Sequence, residues 1–113
     1  MWFSQVMHKS HQHMKISVIC PVYNEGKYIG GCIESLLKQD FSWLDSELLV
    51  VDGMSSDKTR LIVGDYIKRY PFIRLLDNPH KITPVSLNIA LRAAKNDIIF
   101  RINTFRKQWF DNC

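Results

Sequence analysis

The sequence predicts an α/β fold: a mostly parallel sheet of about four strands with helices on both faces. Three observations predict it. Apolar, β-branched runs alternate with amphipathic stretches of three-and-four spacing, each run ends in loop-forming residues, and the cycle repeats along residues 15–103. Units of this kind place successive strands in parallel through right-handed crossovers.

The elements follow in order. ISVICPVYN, after Lys15, is a buried strand that stops at Pro21 and Asn24. Residues 25–39 place Tyr28, Ile29, Cys32, Ile33, Leu36 and Leu37 on one helical face, with Glu25 expected in the first turn, where a carboxylate complements the helix dipole. Gly30 and Gly31 weaken that helix slightly. ELLVVDG at 47–53 is a second buried strand. Residues 57–70 form a second helix with Leu61, Ile62, Tyr66 and Ile67 inward, capped by Ser56 and Asp57 and ended by Pro71. FIRLLDN at 72–78 is a third strand, with Asn78-Pro79 as its loop. Pro84 opens a third helix over 84–95 that aligns Leu87, Ala90, Leu91 and Ala94. DIIFRIN at 97–103 is the fourth strand.

Composition sets the outer limits. A chain of 113 residues, 46% hydrophobic and 23% charged, suits one globular domain and neither a disordered nor a collagen-like chain. The formal charge of +4 would suit an anionic partner, but the Lys and Arg residues are scattered, so no nucleic-acid partner is expected. Cys20, Cys32 and Cys113 are odd in number and lack metal-ligand spacing, which points to a reducing, cytoplasmic setting. No apolar stretch approaches the ~20 residues that span a bilayer. Residues 1–14 show no periodicity and read as a disordered leader, or as an extension ahead of Met14. His8, His11 and His13 there show no ordered surroundings that would orient them as metal ligands.

Parallel strands of such a sheet end at one edge, and ligands bind there, where strand order reverses. The chemistry is therefore expected in three loops: PVYNEG, DGMSSDKT and RINTF, after the first, second and fourth strands. Asp52, at a strand end, can accept hydrogen bonds from a ribose or base, and a helix N-terminus offers free N–H groups to phosphate. Neither GxGxxG nor GxxxxGK[ST] occurs, which disfavours a dinucleotide site and a P-loop. A receiver-type signalling domain would need an acidic pair after the first strand, where this chain has PVYN.

ISVICPVYNEGKYIGGCIESLLKQ, ELLVVDGMSSDKT and NPHKITPVSLNIALRAAKNDIIFRIN, in that order, resemble the N-terminal, nucleotide-binding half of an inverting family 2 glycosyltransferase with a Rossmann-like GT-A fold. The resemblance covers residues 15–103. It implies a nucleotide-diphosphate sugar as donor, an acceptor hydroxyl, polysaccharide or glycolipid synthesis at the cytoplasmic face of a membrane, and a divalent metal, Mg²⁺ or Mn²⁺, on the diphosphate. By the same resemblance Pro21, Tyr23 and Glu25 line the base and ribose pocket, Asp52 contacts the nucleoside, and Asn88 borders the pocket.

The chain departs from the family at its fourth strand, where an Asp-x-Asp type motif is expected to hold the metal. Asn103, Thr104 and Phe105 stand there, so the metal position is degenerate at Asn103 and metal binding is expected to be weakened. Residues 104–113 form an atypical tail without a credible catalytic base, since Asp111 sits two residues from the terminus. The expectation is a truncated transferase, inactive alone, with an exposed sheet edge open to oligomerisation. The alternative is a noncatalytic nucleotide-binding or partner-binding module.

Overall fold

The computed structural model describes residues 15–39 and 43–103; the expected leader and the tail 104–113 lie outside the described residues. Strands β1 (Ile16–Val22), β2 (Glu47–Asp52), β3 (Ile73–Asp77) and β4 (Ile98–Arg101) alternate with helices α1 (Ile29–Leu37), α2 (Thr59–Arg69) and α3 (Thr83–Ala93). All three strand pairings are parallel, in the order β3-β2-β1-β4. The chain steps outward from β1 to β3, then returns to set β4 on the other side of β1. Strand order therefore reverses between β1 and β4.

The pleat of the central strands sorts the core into two layers. Val18, Cys20, Leu48 and Val50 face Ile29 and Ile33 of α1 and Val63 and Tyr66 of α2. Their neighbours Ile19, Leu49 and Val51 face the opposite way, onto Ala90 of α3 with Leu87 packed alongside. Both faces of the sheet are thus covered, as the run of six buried residues in β2 requires. Each fully buried Val, Leu or Ile contributes roughly 1.5–3 kcal/mol of transfer free energy.

Three expectations need correction. Glu25 is not in the first turn of α1, which begins four residues later. Its carbonyl accepts the Tyr28 and Ile29 N–H groups in a preceding turn, and the N–H donors of residues 24–26 are taken by the side chains of Ser55, Thr59 and Asp57. Leu61 is 65% exposed and Leu91 52% exposed, while Val63 and Ser86 turn inward. The buried stripes centre on Thr59, Val63 and Tyr66 and on Ser86 and Ala90. At 100° per residue, positions 61 and 91 then fall outside those stripes. Neither Ser56 nor Asp57 occupies the N-cap position of α2, which is Lys58: Asp57, one residue earlier, accepts the Thr59 N–H on its Oδ1 at 2.9 Å, and Ser56 donates its N–H to Asn24 Oδ1.

Candidate functional site

A cavity of about 200 Å³ opens at the carboxyl edge of the sheet, lined by Pro21, Val22, Tyr23 and Glu25 after β1, Lys81, Thr83 and Ser86 after β3, and Asn103 after β4. It lies at the reversal of strand order, where such sheets bind ligands. Its rim is exposed: Tyr23, Lys81, Thr83 and Asn103 all face solvent.

The walls are set by a lattice of loop-to-loop hydrogen bonds. Asn24 receives the Ser56 and Asp57 N–H groups on its side-chain oxygen and donates its own N–H to Ser55 Oγ at 2.8 Å. Glu25 N–H bonds Thr59 Oγ1 and Gly26 N–H bonds Asp57 Oδ2. The Asp57 carboxyl is held below its usual range, first by the Thr59 hydroxyl and then by the Thr59 and Gly26 N–H groups. These bonds fix the β1 loop against the start of α2, so that Tyr23 and Glu25 border the cavity.

The β3–α3 loop is braced by Asn78, which is fully buried. Its amide nitrogen donates to Ile82 O and Ser86 Oγ at 2.9 and 2.8 Å, and its oxygen accepts the His80 N–H at 3.0 Å. That Asx turn carries Lys81 to the rim, with the Lys81 ammonium 5.7 Å from the centroid of the Tyr23 ring. Gly53 sits beneath both: an added Cβ would lie 3.5 Å from the Tyr23 ring and 3.4 Å from Lys81 Cα. Among the described residues the non-glycine positions with positive φ are Asn24, Met54 and Lys81, at 49°, 65° and 68°, all in loops of this edge. Asn adopts this region readily, but Met54 and Lys81 do so at a cost, and such residues cluster at functional sites.

Of the residues singled out in the sequence, Pro21, Tyr23, Glu25 and Asn103 are brought together on the cavity wall. Asp52 and Asn88 are not. The Asp52 carboxylate is wholly buried and already engaged by Ser55 N–H, Ser55 Oγ and Arg60 Nη1. Asn88 is exposed on α3, and the wall is furnished instead by Ser86 and Thr83. Sequence reading missed Lys81, Thr83 and Ser86 because it passed over the loop after the third strand. The signal was present, since a third parallel strand must end at the same edge as the others.

Among the described residues, the site does not offer a fitting donor set for a divalent metal. Glu25 is the one carboxylate among the described residues on the cavity wall. Asn103 presents a neutral amide whose oxygen already faces the Arg101 guanidinium at 3.5 Å. Among the described residues no three His, Cys, Asp or Glu side chains converge to hold a metal ion.

A parallel sheet with a polar cavity at its switch point is the arrangement in which open α/β proteins bind ligands. The family model for glycosyl transferase family 2 matches residues 17–104, and the chain belongs to that family. A dolichyl N-acetyl-alpha-D-glucosaminyl phosphate 3-beta-D-2,3-diacetamido-2,3-dideoxy-beta-D-glucuronosyltransferase of Methanococcus voltae is 33% identical over 84% of this chain and 31% of its own length. Staphylococcus aureus TarS, solved in complex with UDP, superposes with a TM-score of 0.71 at 33% identity, over 80% of this chain and 27% of that one. A mannosyltransferase from Pyrobaculum calidifontis, solved with GDP-Man and Mn²⁺, gives a TM-score of 0.75 at 27% identity, over 82% of this chain and 28% of that one. The chain thus spans less than a third of the length of each of these three. Among the described residues, no helix is long and apolar enough to cross a membrane.

Proposed function

We propose that residues 15–103 form the donor-nucleotide site of a sugar transferase that moves a glycosyl unit from a nucleotide-diphosphate sugar to an acceptor hydroxyl, in polysaccharide or glycolipid synthesis at the cytoplasmic face of a membrane. The observation that carries this reading is the cavity between the ends of β1 and β4, walled by Pro21, Tyr23 and Glu25. The exposed Tyr23 ring offers a face for the base, and Glu25 an acceptor for ribose hydroxyls. Asp52, whose carboxylate is already occupied, acts as a positioning residue: it holds the Ser55 end of the loop that braces Asn24. Asn88 stays outside the contact set. The complexes of TarS with UDP and of the mannosyltransferase with GDP-Man support a uridine or guanosine diphosphate as the common part of the donor.

Isothermal titration of the 113-residue chain with UDP and GDP tests this. One of the two binds with a single site per chain, and Tyr23→Ala weakens that binding about tenfold, the loss expected for one base-stacking contact. A chain that folds by circular dichroism yet binds neither nucleotide contradicts the assignment.

A further inference from the structure

The cavity wall carries a cation, Lys81, in the loop after β3, across from Asn103 after β4. Lys81 is held at the rim by the Asn78 turn, in a left-handed conformation that no glycine relieves. No carboxylate pairs with it among the described ion pairs; its ammonium faces the Tyr23 ring instead. Arg101 is not on the wall itself, but its guanidinium lies 3.5 Å from the Asn103 side-chain oxygen. Thr83 and Ser86, whose hydroxyls can donate to phosphate oxygens, complete that wall. A cation on the wall of a cleft repels a divalent ion and attracts a polyanion. Among the described residues, the same wall offers no group of carboxylates that would hold a metal.

Resting on the reading of the cavity as a nucleotide site, we infer that the diphosphate is neutralised directly by Lys81, so that this chain binds a nucleoside diphosphate without a divalent metal. An ammonium does this as a compact point charge with three donors, and it requires no particular coordination geometry. The remaining wall residues orient the nucleoside. Phosphate recognition and base recognition therefore reside in different loops, the first after β3 and the second after β1.

The test uses the full chain and four probes: UDP, GDP, uridine and guanosine, each titrated in EDTA and again in excess Mn²⁺. Diphosphate affinity in EDTA is expected to lie within about twofold of that in Mn²⁺ and to fall as salt is raised. Lys81→Met is expected to weaken diphosphate binding about tenfold while leaving nucleoside binding within twofold, and Lys81→Arg to restore most of the loss. Lys81 is exposed, so both variants should fold, and circular dichroism verifies it. A gain of tenfold or more on adding Mn²⁺ overturns the inference, as does a Lys81→Met chain that binds UDP and GDP like the parent. Nucleoside binding with no gain from the diphosphate overturns this inference and leaves the nucleotide site standing. Failure of all four probes to bind overturns both.

Discussion

Replacing Glu47 with alanine lowers the stability of the folded chain by about 3–5 kcal/mol, the loss expected when a buried, hydrogen-bonded charge is deleted and its partners are stranded. Glu47 opens β2 at the end of the sheet opposite the cavity and is 2% exposed. Its carboxylate accepts the Ser17 hydroxyl at 2.7 Å, the Lys95 N–H at 2.7 Å and Arg74 Nη1 at 3.1 Å. It thereby ties together β1, β2, β3 and the segment that enters β4. Burial alone would push the carboxyl up, but the Lys95, Ser17 and Arg74 hydrogen bonds outweigh it and hold the group below its ordinary 4.5. A depressed folded value means the stabilisation is complete above the unfolded value and is lost as pH falls through the folded one. The stability gap between the parent and Glu47→Gln, measured by urea unfolding, should therefore be constant at neutral pH and shrink progressively below pH 4.5. A gap unchanged down through that window would show that the carboxylate charge contributes nothing.

The second large effect is at the other end of β2. Arg60→Met is expected to cost about 2–3 kcal/mol, less than a fully buried pair because the Arg60 side chain is 38% exposed. Its guanidinium lies 2.8 Å from Asp52 and 2.7 Å from Asp77, residues paired across β2 and β3. Removing it leaves two adjacent carboxylates without a counter-charge, one of them with no exposure at all. Adding Asp52→Asn to Arg60→Met should then recover part of the loss. Strictly additive losses in the double-mutant cycle would mean the two side chains do not couple.

Much of the fold was legible because it depends on local pattern. The β-branched runs and three-and-four spacings marked all seven elements, and Pro84 marked the start of α3. Three-and-four spacing defines a stripe but not its centre, so Leu61 and Leu91 were placed on the wrong side of it. The site was legible where one loop carries it, at Pro21, Tyr23 and Glu25. It was not legible where long-range contacts decide. Nothing local in ELLVVDG says that Arg60, eight residues on, will occupy the Asp52 carboxylate, nor that Glu47 will meet partners from three other segments. Lys81 escaped notice for a different reason. Its role depends on the Asn78 turn that lifts it beside Tyr23, a contact between loops more than 50 residues apart in sequence.

The most direct measurement of the central claim is amide chemical-shift mapping of the isotope-labelled chain during titration with UDP and GDP. A nucleotide seated at the β1/β4 switch point shifts Val22, Tyr23, Glu25, Lys81, Thr83, Ser86 and Asn103 together, with little change at Glu47, Arg74 and Asn96 at the opposite edge. Shifts centred on that opposite edge, or spread over the exposed faces of α2 and α3, would contradict the assignment of this cavity as the donor site.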